Sequence, residues 1–114
     1  MSYEISRHQD FDVRIKRLAK RYRSIADDYA DFLESLETNP FQGIELCPSI
    51  RKIRMAITSK GRGKAGSARV ITANAVVAEH EGRIALLTIY DKQDADTVKV
   101  GVVRQMAREL GFEV

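Results

Sequence analysis

At 114 residues the chain has the length of one domain, and a 44% hydrophobic content is enough to fill a single core without staples. One cysteine, Cys47, excludes an internal disulfide, and with His8 and His80 as the only histidines no zinc site of the usual Cys/His spacing can be assembled. No apolar run approaches the ~18 residues of a membrane span, and no export signal opens the chain, so the expectation is one soluble, cytoplasmic domain over residues 1–114.

Tyr3-Glu4-Ile5-Ser6 alternates apolar and polar residues and predicts a short N-terminal strand. Phe11, Ile15, Leu18 and Tyr22 then fall on one face of a helix. Ser24 and Asp27 resemble a capping box that starts a second helix, with Ile25, Tyr29, Phe32, Leu33 and Leu36 facing inward and Asn39-Pro40 closing it. Helical spacing assigns these aromatics to the core rather than to a surface for stacking bases.

Beyond Pro40 the period changes to two. Ile53, Met55 and Ile57 alternate with Lys52, Arg54 and Thr58, which predicts a strand that packs one face and displays cations on the other. Ser59 to Ser67, with three glycines, reads as a loop before a strand from about Ala68 to Ala78. Glu81-Gly82 turns into a third strand, Arg83 to Tyr90, and the three make an antiparallel meander. Asp94 is expected to cap a last helix carrying Val98, Val102, Met106 and Leu110. The class is α+β.

The net charge of +3 conceals an uneven distribution. Between Glu45 and Glu79 there is no acid, yet Arg51, Lys52, Arg54, Lys60, Arg62, Lys64 and Arg69 lie there. The first 44 residues, with seven cations and eight acids, average to near neutrality, as does the stretch after Glu79. A localised excess of this kind is the footprint of a surface that meets phosphates, or else a solvated basic loop. The glycine-rich loop lacks the G-x-x-x-x-G-K-[ST] spacing between strand and helix, which excludes the usual nucleotide-hydrolase loop. His80 reads as a hairpin-turn residue, His8 as a neighbour of a helix cap, and Cys47 as a small buried or half-buried filler.

In an antiparallel meander Arg54, Arg69 and Tyr90-Asp91-Lys92 can converge at one end of the sheet. Guanidinium groups grip phosphate, lysine adds a mobile charge, and a phenol beside cations can transfer a proton. The plain alternative has Tyr90 capping the core and Arg69 in a structural salt bridge.

The KIRMAI segment at 52–57, SKGRGKAGSARVI at 59–71 and LLTIYDKQD at 86–94, behind a strand and two helices, together resemble the RelE/ParE superfamily of bacterial toxins, in particular its RelE/HigB-type branch. The resemblance implies a compact RelE-like fold and a type II toxin held off by a cognate antitoxin. It implies an endonuclease that cuts messenger RNA on the ribosome and inhibits translation, with no metal ion or other cofactor. Carried over by position, Lys52, Arg54, Arg69, Tyr90 and Lys92 would form the catalytic set, and Lys60, Arg62 and Lys64 would hold the RNA backbone. RelE proper has a further tyrosine near its C-terminus, which this chain lacks. The alternatives are a ParE-like gyrase inhibitor and a catalytically inactive member that binds RNA or a protein partner.

Overall fold

The computed structural model describes residues 3–61, 66–94 and 97–114. The elements are β1 (Glu4–Arg7), α1 (Gln9–Arg21), α2 (Ile25–Thr38), β2 (Ile44–Cys47), β3 (Ile50–Ala56), β4 (Ser67–Ala78), β5 (Glu81–Asp91) and α3 (Val100–Glu109). They form an α+β fold around one mixed sheet of order β1-β5-β4-β3-β2, in which β1 runs parallel to β5 and the other pairs are antiparallel.

The helices divide between the two faces of the sheet. On one, Phe11 and Leu18 of α1 and Ile25, Phe32 and Leu36 of α2 pack with Ile53, Met55, Val70, Ile84 and Ile89. On the other, Val103 and Ala107 of α3, with Phe112, cover Ile50, Ile71, Ala73, Ala85, Leu87 and Tyr90. Central strands β4 and β5 are therefore buried on both sides, which is why their apolar residues run almost without interruption from Ile84 to Ile89. No described helix is long and apolar enough to cross a membrane.

The N-terminal strand, the two-helix opening, the meander and the C-terminal helix stand where the sequence places them, and four details differ. An additional edge strand, β2, precedes the meander, and β3 begins at Ile50. α3 begins at Val100 behind Lys99 instead of at a cap on Asp94, whose carboxylate is 2.9 Å from Arg21. The buried stripe of α3 runs through Val103 and Ala107, and Val102 is 51% exposed. Val98, Met106 and Leu110 of the predicted stripe pack beside them, and Val102 alone points away, because it stands about 100° round the helix from Val103. Ser24 does precede α2, but its hydroxyl donates to Asp28 at 2.7 Å, and Asp28 also accepts from the Thr58 amide and hydroxyl. That carboxylate ties the helix to the chain beyond β3 instead of closing a capping box.

Candidate functional site

Sheet register assembles the site. Arg54 on β3 is the direct partner of Arg69 on β4, and Arg69 is the direct partner of Tyr90 on β5, so the three form one row across three strands. Direct partners share a face, and Lys52 lies on that same face two residues before Arg54. Arg54 is exposed, Lys52 and Arg69 are half-buried, and Tyr90 is 7% exposed. Lys92, half-buried, follows β5 and donates its backbone N–H to Ser67 at 3.2 Å.

A β-bulge makes this row possible. Ile71 pairs with Thr88 but Thr72 pairs with Leu86, leaving Leu87 as the additional residue on β5. Strict alternation would send Leu87 and Tyr90 to opposite faces. With the bulge between them, both pack on the α3 side, and Tyr90 joins the face of Arg69.

Lys52, Arg54 and Arg69 border a hollow of about 440 Å³ whose opposite wall is Gln42, Gly43 and Ile44. The wall is built tightly. Gly43 has φ +81° and sits so close to β3 that a Cβ would lie 2.2 Å from the Lys52 carbonyl oxygen. Arg51, on the other face of β3, donates to the Gln42 carbonyl at 3.0 Å and the Gly43 carbonyl at 3.2 Å, while the Gln42 amide donates to Ser35 and to the Asn39 carbonyl. Ile44, 62% exposed, supplies an apolar rim.

Electrostatically the row is uncompensated. Arg69 directs its guanidinium to the Ser67 hydroxyl and the Ala68 carbonyl, which leaves its charge in place, and it makes no ion pair among the described residues. Nor do the side chains of Lys52 and Arg54. The salt-bridge alternative for Arg69 thus has no described carboxylate, whereas Tyr90 does cap the α3-side core as well as completing the row.

Lys60, expected in the phosphate grip, is engaged within the fold. Its side chain is 7% exposed and its ammonium lies 2.9 Å from Asp91 and 3.1 Å from the Gln93 side-chain oxygen, so it ties the chain after β3 to the end of β5. Arg62 and Lys64 lie outside the described residues.

His8 is the N-cap of α1: its Nδ1 accepts the Asp10 N–H at 3.0 Å, so Nε2 carries the proton and donates to Glu109 at 2.7 Å. His80 occupies the β4–β5 turn with φ 56°, and Cys47 is half-buried on β2. Among the described residues no group of three or more His, Cys, Asp or Glu converges as a set of metal ligands.

Two contributors escaped sequence reasoning. The Gln42–Ile44 wall belongs to an edge strand too short to carry a period. The second is a run of six cations from Arg14 to Arg23 that averaging with Asp10, Asp12 and the acids of α2 conceals. No family model matches the chain, and no curated protein gives a significant match.

Proposed function

We propose that the protein is the toxin of a type II toxin–antitoxin pair, of the RelE/HigB type, and acts as a ribosome-dependent endonuclease on messenger RNA. One observation carries the reading: Arg54 and Arg69 face each other directly across β3 and β4, with no described carboxylate between them. Like charges opposite one another on a sheet destabilise it, so a fold that keeps them has a use for an anion there.

In this chemistry the ribose 2′-oxygen attacks the adjacent phosphorus as its proton leaves, the bond to the 5′-oxygen breaks, and that oxygen takes up a proton. The trigonal-bipyramidal phosphorane carries the developing charge, and Arg54 and Arg69 stabilise it from fixed strand positions. Lys52, on the rim of the hollow, or Tyr90, at the β5 end of the row, transfers the proton, and Lys92 orients the phosphate or the leaving oxygen. The near-complete burial of Tyr90 favours Lys52 for contact with solvent-borne substrate. It also favours a second reading, an RNA-binding member without catalysis, should Lys52 prove dispensable.

The test is cleavage of messenger RNA on programmed ribosomes, mapped by primer extension, with wild type and Arg69→Ala. Wild type is expected to cut only with ribosomes present, and Arg69→Ala to bind ribosomes without cutting. Cutting by Arg69→Ala would remove Arg69 from the catalytic set. A folded wild type that never cuts would refute the endonuclease reading.

A further inference from the structure

We infer that α1 forms a second phosphate-binding surface, continuous with the row of Arg54, Arg69 and Tyr90, which takes the backbone of the same RNA; this rests on the proposed function for the identity of the polyanion. Arg14, Lys16, Arg17, Lys20, Arg21 and Arg23 follow one another with no acid between Asp12 and Asp27, and all six are exposed. Arg14, Arg17 and Arg21 recur at three and four residues, so they share one side of the helix over about 10 Å of its length. That side lines a groove of about 280 Å³ whose other wall is Ile89, Tyr90, Asp91 and Asp94. Tyr90 is thus common to the groove and to the row, and the two cationic surfaces adjoin at it.

The cations are of two kinds. Arg14 is held by Asp10 at 2.9 Å and Arg21 by Asp94 at 2.9 Å, and both pairs are half-exposed on their arginine side. Lys16, Arg17, Lys20 and Arg23 make no side-chain hydrogen bond or ion pair among the described residues. The pairs fix Arg14 and Arg21 at the ends of the stripe, and Arg17 between them, with Lys16 and Lys20 beside it and Arg23 just past the helix, remains available to phosphate.

A protein partner suits this surface less well. The centre of a protein interface is depleted in lysine and, although it admits arginine, is built around aromatic and apolar anchors. On α1 the one large hydrophobic residue substantially exposed is Val13, at 41%. A lysine- and arginine-rich helix face without an anchor matches a phosphate backbone, read as charge and not as sequence.

The experiment uses the double variant Arg17→Ala/Lys20→Ala, both sites being exposed and outside the row. A labelled single-stranded RNA is titrated with wild type and variant between 50 and 200 mM salt, followed by anisotropy, with thermal melts confirming equal folding. Two lost phosphate contacts should flatten the slope of log K against log salt by about 1.4, so wild type loses about sevenfold more affinity than the variant over that range. An unchanged affinity and slope would overturn the inference. So would binding of a polyglutamate probe that depends on Arg17 and Lys20 while RNA binding does not, which would assign the face to an acidic protein. Ribosomal cleavage is scored separately on the same samples: a flattened slope with a wild type that cannot cut would uphold the α1 surface and reject the endonuclease.

Discussion

Replacing Lys60 with methionine tests whether the tie at the open end of the sheet is structural. In the native protein the ammonium of Lys60, a side chain 7% exposed, meets the fully buried Asp91 carboxylate at 2.9 Å and lies 5.1 Å from the centre of the Tyr22 ring. Breaking a buried ion pair from one side costs about 3–5 kcal/mol, because the other charge is left uncompensated. Here Asp91 keeps the Tyr22 hydroxyl at 2.6 Å, the Gln93 N–H at 3.0 Å and the more distant Arg21 guanidinium at 3.6 Å. The cost is therefore expected at about 2–3 kcal/mol, or a fall in Tm of about 8–12 °C for a domain of this length.

Its pH dependence has a definite sign. Burial raises the Asp91 carboxyl, but hydrogen bonds from Tyr22, the Gln93 amide and Lys60, with the charge of Lys60, outweigh it and hold the group below the ordinary aspartate value of 3.8. A depressed carboxyl contributes stability that is fully present above its unfolded value and disappears as pH falls through its folded one. The Tm gap between wild type and Lys60→Met should accordingly be widest near neutrality and close below about pH 4. Calorimetric melts of both proteins at pH 7 and pH 3 decide the matter. A gap under about 2 °C at pH 7, or one that does not narrow in acid, would refute the buried-pair account.

Arg54→Thr should raise stability by about 0.2–1 kcal/mol, by removing the like-charged partner of Arg69, while abolishing cleavage. Chemical denaturation beside the ribosomal assay checks both signs, and a loss of stability would show that Arg54 makes a contact the row does not explain. Gly43→Ala should destabilise the fold by more than about 1 kcal/mol and lower cleavage with it, because the new methyl meets the Lys52 carbonyl at a positive φ. Unchanged melting and cleavage would mean that the wall is free to move.

Period and composition made legible those parts of the fold that are buried on one face or both. Phe11, Leu18, Ile25, Phe32 and Leu36 are in the core, as their helical spacing requires, and Ile53 and Met55 of β3, with Ile57 just beyond it, pack as the alternation demands. What stayed hidden is what no local pattern encodes. β2 is four residues long, with Ile44 and Glu45 exposed, and it exists because β3 offers it an edge. The pairing of β1 with β5 in parallel joins segments more than 70 residues apart, and nothing in Glu4–Arg7 specifies its neighbour. Arg54, Arg69 and Tyr90 were recognisable as candidates, yet their alignment depends on the bulge at Leu87. Without it Tyr90 would face α1 and α2, and Asp91, which now meets Tyr22 and Lys60, would take the other side. The pairing of Lys60 with Asp91 is hidden for a related reason: a cation in a basic loop shows no partner until a carboxylate 31 residues away is located.

The charges of this molecule are also arranged to orient it. Asp27, Asp31 and Glu34 are exposed on α2, while the unpaired cations stand on α1 and along the row on β3 and β4. A net charge of +3 therefore understates the field that a polyanion meets, since opposite signs occupy different surfaces. The proposed chemistry would need exact placement of the two charges, and the guanidinium groups sit on adjacent strands, whose spacing of about 4.8 Å is set by backbone hydrogen bonds. Strands hold the two charges at a separation that free side chains on a loop would relax. The strain of keeping Arg54 opposite Arg69 is borne by the doubly covered sheet beneath them, with α1 and α2 on one side and α3 on the other.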